Sequence, residues 1–152
     1  MDMSPPVAVG DYAASIGTTG YDYTVVLPGS PPIPPNGVFR AGSSVRFGDV
    51  TDGLSSTLMV GEKHVPRGMD ATYPFDCGLW DGHNPLCSTR GAGPDFPLAN
   101  SADTGWKFGS RHPNVCQFVF CDGSVHPLTK TINPVTLGLL AQRDDGQVIP
   151  DY

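Results

Sequence analysis

Apolar and polar positions alternate most regularly near the C-terminus, in Val115-Cys116-Gln117-Phe118-Val119-Phe120-Cys121. A period of two over this length predicts a half-buried β-strand with Cys116, Phe118 and Phe120 on its core face. Asp122-Gly123 follows as a turn and Ser124-Val125-His126-Pro127-Leu128 as the returning strand, with Pro127 placing it at a sheet edge. A two-residue type I′ turn sets Phe120 opposite Val125 and Val119 opposite His126, which puts His126 on the outer face with Gln117 and Val119. Asn133-Pro134 then predicts an N-cap and a first helical residue, opening a short helix through Val135-Thr136-Leu137-Gly138-Leu139-Leu140-Ala141. Asp144-Asp145-Gly146 ends it, and Val148-Ile149 reads as a last short strand.

Upstream the periodicity is weaker. Thr57-Leu58-Met59-Val60-Gly61-Glu62 reads as a buried strand after an Asp52-Gly53 turn, and residues 23–27 as another strand. Val38-Phe39 and Val45-Arg46-Phe47 are shorter alternations. The run Pro28-Gly29-Ser30-Pro31-Pro32-Ile33-Pro34-Pro35-Asn36-Gly37 lacks the donors for a ladder and predicts polyproline II ending in a turn. Only about thirty residues precede it, which favours a surface loop over an interdomain linker. Between residues 66 and 106 the pattern dissolves into Gly, Pro, Asp and Asn with isolated aromatics, the mark of a functional surface or a stapled insertion. The predicted fold is α+β and mostly β: an antiparallel sheet of short strands with long loops and one short C-terminal helix, in a single domain over residues 1–152.

Composition sharpens this picture. Nineteen glycines and sixteen prolines leave few windows for a long helix, while seven Phe, five Tyr and two Trp argue against disorder. The net charge is −6 and the nine Lys and Arg are scattered, so nucleic acid and anionic membrane surfaces are poor partners. No stretch reaches the ~20 apolar residues of a membrane span, and Met1-Asp2-Met3-Ser4-Pro5-Pro6 has no signal-peptide character. The chain is therefore either cytosolic or preceded by further sequence in a longer precursor.

Candidate chemistry is sparse. Nucleophile-elbow, His-Glu-x-x-His, P-loop and dinucleotide-binding signatures are all missing. A Ser-His-Asp triad needs only to meet in space, which keeps a hydrolase as the third reading. His112 and Asp122 fall at opposite ends of one strand and cannot act as a direct dyad. Cys77, His83 and Cys87 offer zinc three ligands without a fourth, and a Cys77–Cys87 disulfide closing the long loop is the preferred pairing. Cys116 and Cys121 are too far apart along one strand to bridge. For calcium, Asp49, Asp52 and Glu62 gather around one turn and strand, with Asp122 at a hairpin tip; turn geometry is the first role of each.

Two segments carry a family resemblance. Phe108-Gly109-Ser110-Arg111-His112-Pro113 with Phe118-Val119-Phe120-Cys121-Asp122-Gly123-Ser124-Val125 resembles the His-x9-Asp-Gly domain of prepilin-type (pseudopilin-like) bacterial proteins, a domain of unknown function abundant in planctomycetes. Thr51-Asp52-Gly53-Leu54-Ser55-Ser56-Thr57, followed by an apolar run and Glu62, is similar to the family's second signature. The resemblance implies a pilin-head-like domain in which His112, Asp122, Gly123, Asp52, Gly53 and Glu62 are structural motif residues and no residue is catalytic. It implies a structural subunit of a pilus-like or type II secretion-like assembly, at the cell envelope or outside the cell. Partners would be other pilin-like subunits or a second copy, with the membrane reached through an N-terminal leader and helix missing from this chain. No cofactor is implied. The alternative is a surface-displayed calcium- or glycan-binding module working through the loop at residues 66–106.

Overall fold

The computed structural model describes residues 8–73, 75–78 and 85–152. Five strands form one sheet: β1 (Tyr12–Ser15), β2 (Leu58–Glu62), β3 (Thr89–Arg90), β4 (Val115–Phe120) and β5 (Val125–Thr129), in the order β3-β1-β2-β4-β5. All neighbours are antiparallel except β1 and β3, so the sheet is mixed rather than wholly antiparallel. Among the described residues the α-helices are α1 (Pro85–Ser88) and α2 (Pro134–Ala141). The fold is thus mostly β with one short C-terminal helix, and none of the described helices is long and apolar enough to cross a membrane.

The core lies where the sheet meets α2. Leu58, Cys116, Phe118, Phe120 and Leu128 point to one face and are buried against Leu137, Leu140 and Ala141. Asn133 opens α2 by accepting the Val135 N–H at 2.8 Å, and Pro134 occupies the first helical position. Phe108 is fully buried and meets Phe118 edge to face, with ring centroids 5.1 Å apart. Gly61 lies on the same face in the central strand because the Phe108 and Phe118 rings close over it and leave no room for a Cβ.

Several expectations are corrected. The β4–β5 connection is a three-residue loop, Cys121-Asp122-Gly123, in which Phe118 faces His126 and Val119 faces Val125. Only Gly123 adopts positive φ (85°); Asp122 does not, so the turn is type I with a glycine bulge rather than type I′. The Gly123 N–H bonds the Phe120 carbonyl at 3.0 Å and the Phe120 N–H bonds Ser124 at 2.9 Å, which shifts the register by one residue. His126 accordingly sits on the Phe118 side, its ring against Phe120 at 5.1 Å.

Residues 23–27 make only an isolated bridge, Val25 to Ile33, because the proline-rich run folds straight back on them. The expected alternation at residues 45–47 gives way to a 3₁₀ turn at Phe47–Asp49 with Phe47 exposed. Val148 and Ile149 form no strand: Ile149 packs on the core while Val148 is exposed. The end of the proline-rich run is docked on the rest of the chain. Asn36 bonds Thr18 and Gln142, and the Arg143 guanidinium donates to the carbonyls of Pro35 and Gly37.

Candidate functional site

The two signature segments meet at both ends of β2 and β4. At one end Glu62, the last residue of β2, projects toward the turn that precedes β4. Its Oε2 accepts the Gln117 N–H at 2.6 Å and its Oε1 pairs with His112 Nε2 at 3.1 Å. Its carbonyl accepts the Gly109 N–H at 2.9 Å. Gly109 is tight: a Cβ there would come within 2.9 Å of the Ala99 Cβ. The turn is held further by the Ser110 hydroxyl, which donates to the Val115 carbonyl, and by Lys130, which donates to the carbonyls of Ser110 and His112.

At the other end the hairpin tip rests on the Asp52-Gly53 turn. The Cys121 N–H bonds the Thr57 carbonyl and the Asp122 N–H bonds the Leu54 carbonyl, at 2.9 and 3.1 Å. Gly53 has φ 100°, a conformation that favours glycine, and opens the 3₁₀ turn Leu54–Ser56. Asp52 turns away from the hairpin and clamps the tail after α2, accepting the Asp145 and Gly146 N–H groups at 2.7 and 2.8 Å. The Asp122 carboxylate accepts from the Ser124 hydroxyl and N–H, which hold it below the usual carboxylate range.

The calcium candidates therefore do not converge. Asp49 accepts the Arg46 N–H, and Asp52, Glu62 and Asp122 are engaged as above. Among the described residues no group of three or more His, Cys, Asp or Glu could hold a metal. Nor do His112 and Asp122 meet, since His112 pairs with Glu62 and Asp122 with Ser124. Cys77 and Cys87 are joined in a disulfide, and His83 lies outside the described residues. Cys116 and Cys121 are buried free thiols; burial pushes the first up to about 12 and the second to about 11, with the Glu62 and Asp122 charges adding respectively.

Glu62 and His112 also line a charged cleft of about 850 Å³, with Lys63, His64, Asp76 and Lys130 in its wall. Its chemistry is largely internal. Lys63 Nζ and Asp76 Oδ1 form a buried ion pair at 2.7 Å, and the second Asp76 oxygen accepts the Ala71 N–H. His64 Nε2 bonds the Asp103 carbonyl at 2.8 Å. Sequence reasoning missed the Lys63–Asp76 pair and the buried Arg90. A lysine directly after an apolar strand and an arginine in a Gly- and Pro-rich stretch carried no periodic signal.

A second cleft, of about 550 Å³, is lined by other parts of the long loops. Tyr21, Tyr23, Phe96 and Trp106 line it together with Asp22, Asp95 and Arg90. Phe96 and Trp106 were legible only as isolated rings in the long loop, and Tyr23 as the start of a strand.

No curated protein and no solved structure matches the chain. A family model described as a protein of unknown function (DUF1559) matches residues 3–135, a span that takes in both Asp-Gly turns, Glu62 and His112. The chain belongs to that family.

Proposed function

We propose that this chain is the non-catalytic head of a prepilin-type envelope protein, a structural subunit of a pilus-like or type II secretion-like assembly. One observation carries the reading: the carboxylates and the imidazole of the two signatures, Asp52, Glu62, His112 and Asp122, are each engaged by the protein's own fold. Glu62 holds His112 and Gln117, Asp52 holds the tail, and Asp122 holds the hairpin. A reacting centre needs groups left available to a substrate, and these are not.

The sheet supports the same reading. Ala14, Val60, Val119 and Val125 lie side by side across four strands on the face away from α2. Val125 is 60% exposed, and Tyr12, two residues along β1 from Ala14, is 63% exposed. An apolar row of this kind suits an apolar helix or the matching face of another subunit. The partners are then other pilin-like subunits or a second copy, and the membrane is reached through a helix outside residues 1–152. The reading requires no cofactor.

The test is a Val125→Cys variant of the complete gene product, cross-linked in its native cell envelope with a short thiol-specific reagent. Reductant-resistant adducts to a second copy, or to a pilin-like subunit that carries an engineered cysteine, are expected in the membrane or extracellular fraction. A protein found only as an uncross-linked cytosolic monomer would overturn the proposal.

A further inference from the structure

The Lys63–Asp76 pair has features that an ordinary ion pair leaves unexplained. Lys63 Nζ lies 2.7 Å from Asp76 Oδ1, and the two side chains are only 2% and 3% exposed. An ammonium carries three donors, yet Oδ1 is the single acceptor that Lys63 Nζ meets among the described residues. Lys130, half-buried at the same cleft, donates to two carbonyls. Backbone contacts hold both partners of the pair in place. The Lys63 N–H bonds the Asp11 carbonyl at 2.7 Å, and the Asp76 N–H bonds the Thr72 carbonyl at 2.9 Å. Asp76 also directly precedes Cys77, which the disulfide ties to Cys87. Its second carboxylate oxygen, Oδ2, accepts the Ala71 N–H at 2.8 Å. Ala71 has a φ of 56°, a left-handed conformation that the other described residues reserve for glycines and Asn114.

Two charges taken out of water carry a desolvation cost that a single contact offsets poorly. Condensation to an amide removes both charges and two of the three donors at once, and it needs no co-reactant. From this geometry we propose that Lys63 and Asp76 join in an isopeptide bond within the folded chain. One proton passes from Nζ to Oδ1, leaving an amine whose lone pair forms the bond to the Asp76 Cγ. A second Nζ proton follows to Oδ1 as the Cγ–Oδ1 bond breaks, and Oδ1 departs as water into the charged cleft that both residues line. The third proton stays on the amide nitrogen. Oδ2 becomes the amide oxygen, and the Ala71 N–H is already bonded to it where negative charge gathers during the addition. Burial keeps out the water that would hydrolyse the product, and the fixed backbones hold nucleophile and carboxyl together. The bond ties the end of β2 to the long loop and, through Cys77–Cys87 and α1, to β3. It depends on this pair alone and is independent of the assembly role.

The experiment is mass spectrometry of the purified, folded chain after incubation at neutral pH. Its intact mass is expected to be one water lighter than that of the disulfide-bonded sequence. A reduced proteolytic digest should then yield a branched peptide joining residues 63 and 76, and Lys63 should resist acetylation in denaturant. Lys63→Arg and Asp76→Ala should each restore the full mass. The branched peptide is read on the parent chain, so the outcome stands even where a variant fails to fold. A parent chain at full mass, a water lost instead from an Asp-Gly turn, or a loss that persists in both variants would overturn the proposal.

Discussion

Replacing Glu62 by Ala separates a residue that holds the fold from one that awaits a substrate. The Glu62 side chain is 14% exposed, and its bond to the Gln117 N–H is short, at 2.6 Å. A hydrogen bond to a charged acceptor in such a setting contributes about 1.5–3 kcal/mol, and its loss strands a strand N–H. The His112 pair adds little, ~0–1 kcal/mol, because that imidazole is mostly exposed. The sum is about 1.5–4 kcal/mol, which for a chain of this size lowers Tm by roughly 3–16 °C. Glu62→Gln keeps an acceptor for the Gln117 N–H and should lose only about 1 kcal/mol. Urea unfolding followed by far-UV circular dichroism measures both, and His112→Ala in each background isolates the pair, expected at less than about 1 kcal/mol. An Ala variant that unfolds at the parent's midpoint would refute the argument. Glu62 would then be free for chemistry, and the non-catalytic reading would lose its main support.

Other outcomes follow from the same contacts. Gly123→Val should destabilise by about 1–2 kcal/mol in the same assay, because a β-branched residue resists the positive φ of that position. Reducing the Cys77–Cys87 bridge should cost ~2–3 kcal/mol by freeing the ten-residue separation in the unfolded chain, read as a lower urea midpoint with reductant. Cys116 and Cys121 should stay unlabelled by a thiol reagent at pH 8 until the protein unfolds, since burial suppresses both thiolates. Asp122 is held below its unfolded pKa by the Ser124 hydroxyl and N–H, so its contribution is present at neutral pH. That contribution is lost as pH falls through the depressed folded value, and Asp122→Asn should flatten this part of the acid unfolding curve.

The elements read correctly from the chain are those whose signals are local. The 57–62 and 115–121 strands, the Asn133-Pro134 cap and the Cys77–Cys87 pairing each rest on neighbours in sequence. The misreadings come from contacts that no local pattern encodes. β1, Tyr-Ala-Ala-Ser, is too short and too small to look like a strand, yet its pairing with β2 and β3 makes it one. The 23–27 segment has better strand composition but meets only its own proline-rich return. The hairpin register slipped by one because Asp122 keeps negative φ. The motif residues could be named from the sequence, but their partners could not: Asp52 reaches Asp145 across 93 positions and Glu62 reaches Gln117 across 55. The long loop was legible as a surface that needed a staple, while its aromatic cleft was not, because Tyr21 and Trp106 are brought together only in space.

The clamp between Asp52 and the turn at residues 145 and 146 also fixes an order of assembly. β2 is the third strand of five across the sheet but has one neighbour upstream in the chain and the other, β4, more than fifty residues later. During synthesis the first sixty residues can form at most a two-stranded ribbon, which is not stable by itself. The core face of β2 stays unsealed until Phe118, Phe120 and then Leu137 and Leu140 have emerged. Closure is thus a late, long-range event set by the last quarter of the chain. A ribosome stall or a nick after residue 130 leaves all five strands without α2, so the apolar face of the sheet stays uncovered and prone to associate with a neighbour.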